Sequence, residues 1–211
     1  MKIKDNPLIV ITGPTATGKT RLAAMVAYHL QGEVISADSR QVYRGMNLGT
    51  GKDLDDYLID GLLVPYHLID ITDPGYEYNV YEYQQDFIKT YEHIIKRNRQ
   101  AVLCGGSGMY IEAVLQSYDF QAVPYNAALR EKLSLFTSDE LTSMLAAAKP
   151  LHNTSDTSDR ERLIRAIEIA THKESNKEKA LTHPDIVPKV YGIHFEREVI
   201  RRRITERLRQ R

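Results

Sequence analysis

Cysteine is nearly absent: the 211 residues contain one, Cys104, so no disulfide forms within the chain. It closes the apolar run Ala101-Val102-Leu103-Cys104, where a small buried side chain explains it better than a nucleophile does. No apolar run approaches the length that crosses a bilayer, which leaves out a membrane-spanning helix. The opening residues MKIKDNP lead directly into an apolar strand without a hydrophobic leader, so a cytoplasmic location is expected. Net charge is missing as well, because 28 Lys and Arg balance 28 Asp and Glu. A zero balance by itself speaks neither for nor against a nucleic acid partner.

The zero hides an asymmetry. Residues 1–119 carry 11 basic side chains against 15 acidic ones, and residues 120–211 carry 17 against 13. Seven arginines fall within the last fifteen residues. Such polarity fits contact between the second half and a phosphate-rich polymer, although a solvated helical face accounts for the same charges. Length and an ordinary composition (42% hydrophobic, 27% charged) suit one α/β domain with a smaller excursion.

What is present is organised around Leu8 to Thr20, LIVITGPTATGKT. Leu8 to Ile11 is a short, β-branched run of the kind that forms a buried parallel strand. It feeds Gly13-Pro14-Thr15-Ala16-Thr17-Gly18-Lys19-Thr20, which satisfies the phosphate-loop pattern G-x-x-x-x-G-K-[ST], the spelling shared by ATP- and other nucleotide-binding enzymes. Lys19 to Leu30 then has a helical pattern. The glycines let backbone N–H groups turn toward phosphate oxygens, and the helix adds the positive end of its dipole. Lys19 supplies a mobile charge, and the Thr20 hydroxyl suits a magnesium ion. The expected ligand is a di- or triphosphate.

Glu33 to Ser36 reads as a second strand, followed by Asp38-Ser39-Arg40-Gln41. A carboxylate just past a strand end sits where open α/β sheets hold ligands. Asp38 reads equally as a magnesium ligand, as a general base, or as the cap of a turn helix near Gln41. Gly45 to Lys52 is a glycine-rich loop. Tyr66 to Ile71 reads as a strand in which His67 is structural, and Thr72 to Gly75 as its turn. The tyrosines at 76, 78, 81 and 83 read as packing under a loop, with base stacking as the alternative. A helix follows from Val80 to Arg97, with Phe87, Tyr91, Ile94 and Ile95 on one face. Ala101 to Cys104 is a third buried strand, running into the turn Gly105-Gly106-Ser107-Gly108.

From Asp119 onward the pattern is helical, with capping-box spellings at Thr137/Glu140 and Ser158/Glu161. Residues 174–188 read as a polar loop, Val190 to Phe195 as a strand rejoining the sheet, and Arg197 to Arg211 as a helix. That helix carries Ile200, Ile204 and Leu208 on one stripe and ends without a cap, so the chain looks cut short.

GPTATGKT, GEVISADSRQVYRGMNLGTGK, VPYHLIDITDP, CGGSGMY and DRERLIRAIEI occur in this order. Together they resemble the tRNA dimethylallyltransferases, or isopentenyltransferases, over residues 8–211. The resemblance implies an α/β fold: a P-loop NTPase-like core of parallel sheet flanked by helices (1–119 and 189–211), with a helical insertion (120–188) touching the tRNA. It implies transfer of a dimethylallyl group from dimethylallyl diphosphate to the exocyclic amine of the adenosine 3′ of the anticodon, with Mg2+ as cofactor. The partners it implies are the tRNA anticodon stem-loop and the donor, and a monomer is expected. By the same resemblance the phosphate loop, residues Gly13, Pro14, Thr15, Ala16, Thr17, Gly18, Lys19 and Thr20, holds the donor's diphosphate, with Thr20 at the metal. Asp38 is the general base, and Arg207 neutralises diphosphate charge. Asp38, Ser39, Arg40, Gln41, Ser107, Arg130, Glu161, Arg162, Leu163, Ile164 and Arg165 contact the tRNA. Ser107 stands where the family usually has threonine, which keeps the hydroxyl. The family usually continues beyond the arginine-rich helix.

Three alternatives share parts of this pattern. A small-metabolite kinase would share the first strand and loop, but not ADSRQVY. An adenylate isopentenyltransferase acting on free nucleotide would need no insertion. A non-catalytic module would bind tRNA or diphosphate without turnover.

Overall fold

The computed structural model describes residues 7–116, 118, 120, 123–148, 159–172 and 183–209. The chain divides into two compact units, Met1–Asp119 with Leu181–Arg211, and Phe120–Ala180.

The first unit is built on a five-stranded, all-parallel sheet. In chain order its strands are β1 (Leu8–Thr12), β2 (Glu33–Ala37), β5 (Tyr66–His67), β6 (Ala101–Gly105) and β7 (Pro188–Gly192). The spatial order is β5-β2-β6-β1-β7, so β6 is inserted between β1 and β2. The helices of the unit are α1 (Lys19–His29), α2 (Val80–Lys96), α3 (Gly108–Leu115) and, numbered last in chain order, α7 (Arg197–Arg209). A two-stranded hairpin, β3 (Leu58–Ile59) and β4 (Leu62–Leu63), completes the unit.

The apolar runs of β1, β2 and β6 are buried on both sides of the sheet, as a parallel sheet covered by helices requires, whereas the edge strand β7 is exposed along its length. Leu8, Val10, Ile35, Ala37 and Leu103 face α2 and α3, where Tyr83, Phe87, Tyr91 and Ile94 of α2 are buried. Ile11, Val34, Val102 and Cys104 face α1, against Ala23, Ala24 and Ala27. Each large side chain buried in this way contributes about 1.5–3 kcal/mol. The four inward residues of α2 recur at the spacing of one helical face. Its start is set by a capping box: Asn79 Oδ1 accepts from the Glu82 N–H, and the Glu82 carboxylate accepts from the Asn79 N–H, each at 3.1 Å. Of the clustered tyrosines, Tyr83 is fully buried and stacks on Tyr110 at 3.9 Å between ring centroids. Tyr78 donates to Asp86.

The expected strand Tyr66 to Ile71 is only two residues long. Leu68 and Asp70 take left-handed conformations (φ 61° and 56°), which stop the ladder. The chain then runs beside residues 41–42, with Asp70 N–H donating to the Gln41 carbonyl. His67 is structural, as expected: its Nε2 lies 2.7 Å from the buried Glu33 carboxylate, which Arg97 also holds. The last strand lies two to three residues earlier than expected, and residues just before it belong with this unit. The Leu8 N–H donates to the Val187 carbonyl at 3.0 Å. Most of the expected polar loop 174–188, together with Ser158, Arg211 and the N-terminal segment MKIKDN, lies outside the described residues.

The second unit packs α4 (Ala127–Ser134), α5 (Ser138–Ala148) and α6 (Arg160–Thr171) around Leu133, Leu141, Leu145, Leu163 and Ile167. The Thr137/Glu140 capping box forms. At the start of α6 the cap is Asp159, whose side chain accepts from the Arg162 N–H at 3.0 Å.

One contact governs how closely the central strands approach. A Cβ on Gly105 would lie 2.0 Å from the Ala37 carbonyl oxygen, so only glycine lets β6 meet the end of β2. Gly105→Ala is expected to destabilise the first unit by about 3 kcal/mol or more, read as a lowered urea midpoint.

Candidate functional site

Because β2, β6 and β1 are neighbours and all parallel, the loops that leave their C-terminal ends lie side by side. These are Gly13–Gly18 after β1, Asp38–Gln41 after β2 and Gly106–Ser107 after β6. Residues 15–18, 38–41 and 106–107 of these loops line one cavity of about 870 Å³, together with residues 48–51, Asp53, Asp56 and one face of α7.

The phosphate loop has the backbone the motif demands. Ala16 and Gly18 are left-handed (φ 61° and 81°), and the Thr17 hydroxyl donates to the Pro14 carbonyl at 2.8 Å. Lys19 and Thr20 form the first helical residues, so α1 aims its positive end at the cavity. The Lys19 ammonium donates to the loop's own Pro14 carbonyl at 2.5 Å. Its pKa is lowered, first by burial and then by Arg207, while Cys104 and Asp38 act the other way. Burial pushes the Cys104 thiol up to about 12, which suits a packing residue rather than a nucleophile.

Asp38 is half-buried on the cavity wall, and its Oδ1 accepts the Arg40 N–H at 2.9 Å. That bond closes a turn; no helix forms near Gln41. Ser107 ties the second and third loops together. Its hydroxyl accepts the Ser39 N–H at 2.9 Å, and its own N–H donates to the Ala37 carbonyl. Ser39 and Arg40 are exposed, whereas Gln41 is buried. The Gln41 carboxamide accepts from Ser36 at 3.1 Å and donates to the Gly51 carbonyl at 3.1 Å, so its polar atoms bind the fold itself.

The loop Gly45–Lys52 is anchored by a residue that composition alone does not single out. The Lys52 side chain is completely buried and donates to the Tyr43 carbonyl at 2.7 Å and to Asp70 at 2.5 Å. Arg207 of α7 reaches the same loop, donating to the Gly51 carbonyl and to the Asp53 carboxylate. Next to them Asp56 has a raised pKa, through burial first and Asp53 second.

Among the described residues, no three His, Cys, Asp or Glu side chains cluster as an all-protein metal cage would need. Magnesium arriving with a diphosphate asks for one or two oxygens from the protein and takes the rest from phosphate and water. Thr20 and Asp38, both on the cavity wall, fit that demand.

The remaining expected tRNA residues lie in the second unit. Glu161 and Arg162 are exposed on α6. Leu163 is fully buried in the core of the unit and Ile164 packs against that core, so the Leu163 side chain is a packing residue. Arg130 and Arg165 converge on Glu168, at 3.0 and 2.5 Å, and Arg130 stacks 4.3 Å above the Tyr125 ring. Glu168 is almost completely buried and also accepts the Asn126 N–H. Sequence reasoning missed it, because a glutamate within DRERLIRAIEI reads as one more surface charge.

Comparison with known proteins shows the family. A family model described as IPP transferase matches residues 41–211. The chain belongs to this family. The tRNA dimethylallyltransferase 2 of Bacteroides fragilis is 50% identical over 211 residues, which is 100% of this chain and 68% of that protein. The tRNA dimethylallyltransferase 1 of Geotalea uraniireducens is 53% identical over 205 residues, 97% of this chain and 66% of that protein. The crystal structure of the full-length tRNA isopentenylpyrophosphate transferase of Bacillus halodurans matches with a TM-score of 0.63 and 34% identity, over 97% of this chain and 65% of that one. A eukaryotic dimethylallyltransferase solved while acting on tRNA shares the fold, at TM-score 0.73 and 20% identity. The chain thus spans about two thirds of the length of these IPP transferase relatives. Among the described residues no helix is long and apolar enough to cross a membrane.

Glu168 gives a test of the second unit. Burial by itself raises its pKa, but hydrogen bonds from Arg130, Arg165 and the Asn126 amide outweigh that and hold it below the usual value. Its contribution to stability is therefore complete above the unfolded value of about 4.3 and lost as pH falls through the lower folded value. Glu168→Gln is expected to cost about 2–3 kcal/mol at neutral pH, less than for a fully buried pair because both arginines stay partly in water. The variant should also lose part of the acid-induced destabilisation below about pH 4.3, measured by denaturant unfolding across pH.

Proposed function

We propose that this chain carries the donor site and catalytic base of a tRNA dimethylallyltransferase, moving a dimethylallyl group from dimethylallyl diphosphate to the exocyclic amine of the adenosine 3′ of the anticodon. The observation that carries the reading is the meeting of the phosphate loop, Asp38 and Arg207 around one cavity. The amine nitrogen attacks the allylic carbon, that carbon's bond to oxygen breaks, and the diphosphate leaves with the electron pair. Backbone N–H groups of residues 15–20, Lys19 and Arg207 suit the charge that grows on the leaving group. Asp38 takes the proton that the amine loses. When bound, magnesium shares the diphosphate's negative charge, held by the Thr20 hydroxyl and phosphate oxygens.

The adenine's exocyclic amine is out of reach while the base stays stacked in the anticodon loop, so the adenine must be turned out of its stack into the cavity. Ser39, Arg40 and Ser107 stand at the rim to receive it. The exposed Glu161 and Arg162, with Arg130 and Arg165 held in place by Glu168, support contact with the anticodon stem-loop. Such contact weakens steeply with added salt.

Incorporation of labelled donor tests the reading, with an anticodon stem-loop or free AMP as acceptor. Label should enter the stem-loop, while labelling of AMP alone would point to the free-nucleotide activity. Asp38→Asn should cut the single-turnover rate by roughly 10²–10⁴-fold while donor affinity holds. Affinity and rate collapsing together would move Asp38 to the metal site.

A further inference from the structure

Arg207 sits on a helix that the fold itself barely holds. No side chain of α7 is buried, and Ile204 and Leu208 on its apolar stripe are 42% and 74% exposed. Among the described residues, the side-chain hydrogen bonds and ion pairs joining α7 to other elements all come from Arg207. Both run from Nη2, one to the Gly51 carbonyl at 3.2 Å and one to the Asp53 carboxylate. A guanidinium has five N–H donors, so this grip leaves those on Nη1 and Nε for an anion.

The receiving loop is held firmly. Lys52 pins it to Tyr43 and Asp70, Gln41 holds the Gly51 carbonyl, and the Thr50 hydroxyl donates to the Met46 carbonyl at 2.6 Å. Asp53 itself stands at the N-cap of the 3-10 turn Leu54–Tyr57, where an aspartate ordinarily accepts a backbone N–H. It makes no such capping bond, and its carboxylate goes to Arg207 instead.

We propose that Asp53 is the positioning residue for Arg207, seating its guanidinium on the cavity wall so that the remaining donors meet the diphosphate. The proposal rests on reading the cavity as a diphosphate site. It makes a prediction opposite in sign to simple charge counting. Asp53 is an anion beside a site for an anion, so Coulomb repulsion alone would make its removal tighten binding. If Asp53 holds Arg207 in place, removing it instead loses the cation from the site.

The test is calorimetric binding of inorganic pyrophosphate with magnesium to the full chain and its variants. Asp53→Asn should bind roughly tenfold more weakly, the scale of one charge-assisted contact. Arg207→Gln should lose about the same factor. The double variant should be no weaker than either single one, because both remove one interaction. Asp53→Glu, which keeps the carboxylate, should recover most of the affinity. Arg207→Lys leaves the loop untouched but lacks the fork, and it too should lose affinity. Asp53→Asn binding as tightly as the parent or more so, or Arg207→Lys at full affinity, overturns the proposal. Lys19→Ala separates the two levels. If it and the parent bind pyrophosphate equally, or the parent not at all, the diphosphate reading fails, and the proposal with it. If Lys19→Ala weakens binding and Asp53→Asn does not, only the positioning role fails.

Discussion

The insertion of β6 between β1 and β2 is the constraint from which the site follows. Three neighbouring parallel strands end at one edge, and each end carries a turn with a different chemical endowment. The first offers backbone donors and a lysine, the second a carboxylate, and the third a serine that binds the second. None of this survives if β6 and β2 separate, and their approach depends on a glycine with a carbonyl where a methyl would sit. Gly105, which ends β6, therefore contributes by what it lacks. The site is the meeting point of three local motifs whose partners are far apart in sequence.

The cations of that edge are partly occupied by the protein's own oxygens. Lys19 rests on Pro14, and Arg207 on Gly51 and Asp53. Such contacts satisfy charges that would otherwise face a partly desolvated cavity, and they hold the side chains close to where a diphosphate would lie. An incoming anion then takes Lys19 from Pro14 and meets the unused Nη1 and Nε donors of Arg207, with little rearrangement. Catalysis by leaving-group stabilisation benefits from that preorganisation, because donors already aimed need no reorganisation as charge develops. The second unit uses the same device, with Glu168 holding Arg130 and Arg165 in fixed positions from a buried location.

Much of this was legible in the sequence wherever the chemistry is local. The strand, phosphate loop and helix at residues 8–29 announce themselves through spacing, as do the strand ends at Asp38 and Ser107. The periodicity of α2 marks its buried face. What escaped was set by distant partners. Asp53 and Arg207 are 154 residues apart, and nothing around Asp53 distinguishes it from the neighbouring Asp55 and Asp56. Gln41 reads as a surface residue of a polar block until Ser36 and Gly51 are seen to claim both ends of its side chain. The strand at Tyr66 is shorter than its apolar run because Leu68 and Asp70 turn left-handed to run beside residues 41–42, a choice made by tertiary contacts. Leu163 entered the expected tRNA contact with the whole segment 161–165 that the family resemblance implies, while the helical period puts its side chain inward.

On the proposed function, the edge formed by these strands is a diphosphate site shared by the phosphate loop and α7. The most direct measurement is a titration of isotope-labelled chain with magnesium pyrophosphate, followed through its backbone amide resonances. Saturable shifts are expected to concentrate at residues 15–20, with a second group at Gly51 and around Arg207. Shifts that spare the phosphate loop, or that centre on the second unit, would contradict it.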